Sequence, residues 1–277
     1  AGARKLESAY VSDSVTEMGS SAFAGCSSLK ELSLPFIGKN ADAPSGFGKE
    51  TVLGHVFGIE NFDGGIKTEQ FYDYRSSVFP IVDPLRKFIC YVPQSLKKVT
   101  VRGGNINFGA FSGFTELCEV VIPEGIQEIP DYAFYNCKNL ETSDLTGVTN
   151  IGKYAFYGCE ALNEVNLESV KTIDNWAFAH TGLGETEISN VTERIGDSAF
   201  LNSSATLFIE FAQRPTAWNS TWNASDCTAV WNYADNRGVT ADGIRWAETA
   251  GDCAVIYGYE GRGGKVTLPE SVSYEDR

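Results

Sequence analysis

A chain of 277 residues, 43% hydrophobic and 12% aromatic, is long enough to bury a sizeable core as one large domain or two ordinary ones. Its 22 basic and 36 acidic residues leave a formal charge of −14, spread along the chain; that balance repels phosphate backbones and anionic lipid and excludes nucleic acid as an expected partner. No apolar run approaches the roughly 18 residues of a membrane helix, so no membrane insertion is expected, and the opening AGARKLESAY lacks the apolar core of a signal peptide.

The first informative stretch is MGSSAFAGCSSLKELSL, residues 18–34. Its elements return later in the chain. Ala-Phe falls at 22–23, 110–111, 133–134, 155–156, 177–178 and 199–200, and the last four are spaced by 22 residues, after a step of 23. A fixed period in this range marks a solenoid, in which each unit buries its apolar side only against its neighbours. The unit reads I-x-x-x-A-F-x-x-C-x-x-L-x-x-V-x-L/I. Its isoleucine column is Ile129, Ile151, Ile173 and Ile195; its leucine column is Leu29, Leu96, Leu117, Leu140, Leu162 and Leu183. After each leucine comes a short alternating stretch such as LKELSL, LKKVTV or LNEVNL, the pattern of a strand with one buried face. Expected inward residues are Leu32, Leu34, Val99, Val101, Val120, Ile122, Val165 and Leu167. Ser33, Thr100, Val121, Asp144, Asn166 and Glu187 are expected to face out on one parallel sheet. Alanine suits a close approach of coils, and a ladder of phenylalanines is a core device.

Residues 1–35 thus read as an N-terminal repeat and 96–211 as the main repeat array. Between them, 36–95 break the period. GKNADAPSGFGKE reads as loop, TVLGHVFG as a short helical turn or strand, and KFICYVP as a strand. The favoured reading is an enlarged coil packed on the solenoid edge; the alternative is a protruding ligand loop with Phe71, Tyr72 and Tyr74 as contacts. Some repeats depart from the pattern. Phe114, Thr181 and Ser203 stand in the cysteine column of Cys26, Cys137 and Cys159, and Ser143 stands where valine is expected. The last copy loses its leucine before ATLFIEF, so the array is expected to end near residue 211.

Residues 212–265 hold Trp218, Trp222, Trp231 and Trp246 with several tyrosines. The favoured reading is a cap over the apolar end of the last coil. The alternative is an aromatic platform for sugar rings or a protein partner.

Catalytic chemistry finds little support. His180 lies at the repeat position filled by Asn136 and Gly158, which suggests a turn, and His55 has no recognisable partner motif. GYEGRGGK is out of register with a phosphate loop, and Val266 replaces its Ser/Thr. Seven cysteines without a CxxC spacing, and only two histidines, leave no expected metal site or cofactor. Cys137 and Cys159 are close enough in a stacked array for a disulfide to be considered, but an inward apolar column favours free thiols. Four N-x-S/T sequons, at Asn190, Asn202, Asn219 and Asn223, carry little weight.

The pattern IGKYAFYGCEALNEVNLESVKTI resembles the BspA-like, or treponemal-type, leucine-rich repeats over residues 15–35 and 96–211. The segment LPFIGKNADAPSGFGKETVLGHVFG with FICYVPQSLKKVTVRGGNINFGAF resembles a recurring insertion of that family. AVIYGYEGRGGKVTLPESV is similar to its linking hairpin and the opening of a further array, so 266–277 are expected to begin another repeat of a larger protein. The resemblance implies an α/β-class leucine-rich-repeat solenoid, β-rich, with one parallel strand per repeat, an inserted irregular segment and an aromatic-rich cap. It also implies a non-catalytic bacterial protein, secreted and displayed on the cell surface, that adheres as a monomer to a host or extracellular matrix protein. The acidic strand face, Glu119, Asp144, Glu164, Asn166, Glu185 and Glu187, is the expected site for a basic patch on that partner. The alternatives are glycan binding through Trp218, Trp222, Trp231 and Trp246, and a non-catalytic appendage of a larger surface enzyme.

Overall fold

A computed structural model describes residues 2–41, 48–73, 86–224, 227–239, 243–249 and 253–259. Tyr74 and the expected further repeat at 266–277 lie outside the described residues. In chain order the strands begin with β1 (Ser8–Tyr10), β2 (Glu31–Leu34), β3 (Gly65–Asp73), β4 (Arg86–Pro93), β5 (Lys98–Val101) and β6 (Glu119–Val121). The repeat array continues with β7 (Glu128–Ile129), β8 (Thr142–Ser143), β9 (Asn150–Ile151), β10 (Glu164–Val165), β11 (Thr172–Ile173), β12 (Glu185–Ile188) and β13 (Arg194–Ile195). The last strands are β14 (Thr206–Ile209), β15 (Thr228–Trp231), β16 (Tyr233–Val239), β17 (Ile244–Thr249) and β18 (Cys253–Tyr259). The helical content among the described residues is one 3₁₀ turn, Leu53–Val56.

The expected solenoid is present, with about nine turns. Its front is a parallel ladder, β1-β2-β5-β6-β8-β10, followed by β12-β14-β15. The Gly184 N–H bonds the Asn163 carbonyl at 3.1 Å and bridges the two stretches. The ladder runs one strand past residue 211, where the repeat pattern fades: Thr206 of β14 pairs with Thr228 of β15, another step of 22 residues. A second parallel ladder, β7-β9-β11-β13, lines the back and aligns the isoleucine column residue for residue. All four isoleucines are buried.

Between the two ladders lies the Ala-Phe turn. Phe111, Phe134, Phe156, Phe178 and Phe200 are fully buried and stack with centroids 5.1, 5.0, 5.2 and 5.5 Å apart, nearly parallel. The N–H of each of the first four donates at 2.8 Å to the alanine carbonyl of the next repeat. The alanines are fully buried as well, since a larger side chain has no room where one coil bonds the next. Two residues per turn take left-handed φ. Those before alanine are Tyr132 (59°), Tyr154 (56°), Trp176 (61°) and Ser198 (51°); those after phenylalanine include Asn136 (57°), His180 (58°) and Asn202 (54°). His180 therefore serves a turn.

The insertion packs against the solenoid side. Val56-Phe57 takes the place of an Ala-Phe pair: Phe23 N–H donates to the Val56 carbonyl at 2.8 Å, and the buried Phe57 ring sits between Phe23 and Phe114. The antiparallel hairpin of β3 and β4 then interrupts this coil before Leu96. Gln70, fully buried on β3, accepts from Gly54 N–H and donates to the Ala110 carbonyl at 2.8 Å. Gly109 (φ 61°) permits this docking, because a Cβ there would meet the Phe71 carbonyl at 1.9 Å.

The cysteine column is a hydrogen-bonding column. Cys137 and Cys159 thiols donate to the Phe111 and Phe134 carbonyls, each at 3.1 Å; where Thr181 and Ser203 replace cysteine, the hydroxyl bonds the phenylalanine carbonyl of its own coil. Burial raises the Cys90 thiol to about 12 and pushes the Cys137 and Cys159 thiols well up. Cys26, Cys90, Cys118, Cys137, Cys159 and Cys227 are free. A thiol reagent at pH 8 is expected to modify the half-buried Cys118 and Cys227 and to spare Cys26, Cys90, Cys137 and Cys159 until denaturant is added. A total of fewer than seven modified thiols in denaturant would reveal a disulfide.

Two strand positions are imperfect. Ser143 and Thr186 face the core with hydroxyls that find no partner. Replacing a buried unsatisfied hydroxyl with a methyl of similar shape removes a penalty of about 1 kcal/mol. Ser143→Val and Thr186→Val are each expected to raise the midpoint of urea unfolding; an unchanged or lower midpoint refutes this account.

Asp131 provides a third check. Burial raises its carboxyl above the ordinary 3.8, partly offset by the Lys153 N–H it accepts at 2.7 Å. Its native pKa lies above the unfolded one, so its contribution is favourable while it is protonated and is lost as pH rises through the native value. Two turns further on, Asn175 makes the same bond to Asp197 N–H without a charge. Asp131→Asn is therefore expected to increase stability at pH 7 more than at pH 4, as measured by urea unfolding at both.

Candidate interaction surface

The parallel register sorts the front face into columns. Glu31, Lys98, Glu119, Thr142 and Glu164 align across β2, β5, β6, β8 and β10, and Ser33, Thr100 and Val121 align in the next outward column. Between them Leu32, Val99 and Val120 are buried, as the alternation predicts, with Leu34, Val101 and Leu167; Ile122 and Val165 are half-buried.

At its N-terminal end the face is fastened by Arg102. The guanidinium bonds Asp13 at 2.7 Å, Ser33 Oγ at 2.5 Å and the Val11 carbonyl, and lies 4.0 Å from the Tyr10 ring centroid. One arginine thus spans three strands and holds an exposed tyrosine in place.

The six acidic-face residues do not form one uniform patch. Glu119 pairs with Lys98 at 2.6 Å, and this bond raises the lysine. Asp144 is exposed but accepts both the backbone N–H and hydroxyl of Thr146, at 2.9 and 2.7 Å, which lowers its carboxyl and keeps it ionised. Asn166 makes the corresponding turn to Glu168 N–H at 2.9 Å. Glu164 is exposed. Beside this strip a groove of about 480 Å³ runs between Glu119 and Asp144 over Val121 and Pro123.

Glu185 and Glu187 lie elsewhere on the same face, under the antiparallel sheet β16-β17-β18. Arg237 bonds Glu185 at 3.1 Å and Glu187 at 2.8 Å; Arg245 also holds Glu185, which accepts the Tyr257 hydroxyl at 3.1 Å. Burial, then the Glu185 charge, pushes Tyr257 up to about 12. Beyond these glutamates the outward column turns apolar. Phe208 and Val230 are buried under Tyr233, Ala247 and Tyr257, with Arg237 4.7 Å over the Phe208 ring. The chain therefore covers the last strands of its own front face.

The four tryptophans divide in two. Trp218 and Trp222 are buried and belong to the last coil. Asn219 N–H donates to the Ile195 carbonyl at 2.8 Å, as the back ladder requires, and Trp222 meets Phe200 edge to face at 6.2 Å, ending the phenylalanine stack. Trp231, half-buried, packs on both rings, and Trp246 is buried in the C-terminal sheet. Three of the four present no open ring face for a sugar. In the insertion, Phe71 is buried edge-on against Tyr132 and Tyr135, and Tyr72 is half-buried. Among the described residues no group of histidine, cysteine and carboxylates is placed to hold a metal, and His55 is buried with Nε2 3.2 Å from the Met18 carbonyl.

Repeat reading missed Val56-Phe57, because valine replaces alanine there, and missed the last coil, whose W-x-x-x-W stands for I-x-x-x-A-F. The four-residue step from Trp218 to Trp222, the same as from isoleucine to alanine in the repeat, was its signal. Arg237 and Arg245 carried no local signal.

The family model for the BspA type leucine rich repeat region matches in six copies, over residues 1–41 and 87–206. A leucine-rich repeat protein from Bacteroides ovatus ATCC 8483 aligns at 18% identity and TM-score 0.48, covering 83% of this chain and 56% of that one. A leucine rich cell surface protein from Faecalibacterium prausnitzii A2-165 aligns at 22% identity and TM-score 0.37, covering 91% and 45%. The chain spans about half the length of these two proteins. No curated protein matches it. With six matched copies over more than half of its length, and with their parallel ladders in place, the chain belongs to the BspA-type leucine-rich-repeat family, a scaffold for protein interaction.

Proposed function

We propose that the chain is a non-catalytic adhesion module, secreted and displayed on a bacterial cell surface, that binds a basic patch of a host or extracellular matrix protein. Its site in this reading is the open strip of the front face carrying Glu119, Asp144, Glu164 and Asn166. Residues 36–95 and 212–265 are taken as an insertion and a cap that frame the strip.

One observation carries this reading. The same face already takes guanidinium groups: Glu185 and Glu187 hold Arg237 and Arg245 of the chain's own C-terminal sheet. Glu164 precedes Glu185 by one repeat and is exposed. The strands fix the spacing of these groups before a partner arrives, which lowers the ordering cost of binding. The formal charge of −14 draws a basic partner in.

The test is biolayer interferometry of the purified chain against matrix proteins and mucin. Saturable binding to one protein is expected. It should weaken as salt rises and fall by about tenfold or more in Asp144→Lys/Glu164→Lys, the equivalent of roughly 1.4 kcal/mol. Binding that ignores both salt and charge reversal places the site elsewhere, and no binding at all favours a spacer.

A further inference from the structure

The back wall is open at one step of the array. Ile106 begins a back segment that runs on to Ala110-Phe111, as Ile129, Ile151, Ile173 and Ile195 begin theirs, yet the back ladder starts only at β7, one coil later. In the later coils two adjacent N–H groups grip one carbonyl of the coil before. Thr149 and Asn150 hold Gln127 at 2.8 and 3.0 Å; Lys171 and Thr172 hold Thr149, and Glu193 and Arg194 hold Lys171, each pair at 2.8 and 3.1 Å. In that register Gln127 and Glu128 would hold a carbonyl next to Asn105, and among the described residues they make no such bond.

Two features of the sequence part the coils here. The step from Ile106 to Ile129 is 23 residues in place of 22, and Pro130 lacks the N–H that Gly152, Asp174 and Gly196 donate at the same position. The gap is a cleft of about 560 Å³, with Ile106 and Phe108 on one wall and Ile126, Gln127, Glu128 and Pro130 on the other. It is held open, because the same two coils are joined on either side of it. Val99 pairs with Val120 on the front, and Phe111 N–H donates to the Ala133 carbonyl at 2.8 Å in the turn.

We propose that this cleft binds a short extended peptide of a partner, with one peptide carbonyl on the Gln127 and Glu128 N–H groups and an adjoining apolar side chain against Ile106 and Ile126. The later coils show what fits, since a peptide carbonyl fills this position at each of their three steps. The volume suits a ligand of a few residues, and an apolar lining with a few convergent polar groups is the usual make-up of such a site. Glu128 is exposed at the rim; with the net charge of −14 it turns away a free carboxylate and favours basic residues flanking the apolar one. Pro130 ends the donor edge, so the ligand pairs at one peptide unit and does not extend the ladder as a strand. The cleft lies on the back of the coils, and it stands or falls independently of the front strip.

The probes are blocked tripeptides, acetyl-Lys-X-Lys-amide with X as leucine, isoleucine, phenylalanine, glycine or aspartate, titrated into the isotope-labelled chain and followed by amide NMR. Saturable binding is expected with an apolar X and none with glycine or aspartate. At saturation, hydrogen exchange at the Gln127 and Glu128 amides should slow about tenfold or more, while the Thr149 and Asn150 amides, already bonded, do not change. Glu128→Lys should weaken binding about tenfold, Ile126→Trp should abolish it by filling the cleft, and Asp144→Lys/Glu164→Lys should leave it unchanged. Failure of every tripeptide to bind at about millimolar concentration overturns the proposal. So does binding that leaves exchange at Gln127 and Glu128 unaltered, whether or not Ile126→Trp folds.

Discussion

Everything in this molecule depends on a coil returning to its own position after one repeat, so that each backbone group finds its partner one turn further on. The Ala-Phe pair is where that requirement is tightest. The phenylalanine N–H reaches the next alanine carbonyl at 2.8 Å in four consecutive steps, and the rings above and below lie at their stacking distance. Those two spacings must agree. A side chain larger than alanine at the bonded position separates the coils, and a smaller one than phenylalanine leaves a void through the centre. The left-handed residues flanking the pair turn the backbone sharply enough to carry it between front and back ladders, and asparagine, glycine and histidine share one of these positions because they tolerate it.

Stacking of this kind always leaves ends and edges, and each is closed by a different device. Among the described residues the back ladder stops at β7, with no further strand on its outer side. There Pro130 occupies the position at which Gly152, Asp174 and Gly196 donate their N–H to the preceding coil. A proline has no N–H to leave unpaired, and it also blocks pairing with a foreign strand. At the C-terminal end, Trp218 and Trp222 stand at the isoleucine and alanine positions, with the Trp222 carbonyl accepting Phe200 N–H at 3.4 Å, and their larger rings fill the cross-section that no further phenylalanine covers. Trp218 Nε1–H reaches the Thr192 carbonyl at 3.2 Å, so the plug leaves its indole proton satisfied. Over the front, Phe208 and Val230 stand where most other strands present polar groups, and they are covered by the antiparallel sheet.

The repeat was legible in the sequence because it is written in single-letter identities at a fixed spacing. The isoleucine, leucine and Ala-Phe columns, the inward strand residues and the turn role of His180 follow from period alone. What escaped is what period does not encode. Val56-Phe57 lies 34 residues after Phe23, displaced by the lengthened connection before it, and the hairpin that follows delays Leu96 further. The cysteine column looked like an apolar or disulfide position, while its work is to hold phenylalanine carbonyls. The acidic face read as one patch because sequence shows which residues point outward and not what lies over them. Arg237 and Arg245 are about 50 and 60 residues from the glutamates they bind, and only the fold brings them together.

The charges on the front face then acquire different meanings from one strand to the next. Exposed pairs such as Lys30–Glu7, at 2.9 Å, and Lys98–Glu119 lie in water, where such pairs add little stability and are screened by salt. They set the local potential more than they hold the coils. The Arg237–Glu185–Glu187 cluster is half sheltered and shares its arginine with the Phe208 ring, so there the face's preference for a cation is combined with an apolar contact, as it is for Arg102 over Tyr10 at the other end. A partner that binds the open strip meets carboxylates on a rigid sheet beside the shallow groove over Val121 and Pro123. Affinity there must come from several simultaneous weak contacts along the ladder, and the regular spacing of the strands is what makes such contacts simultaneous.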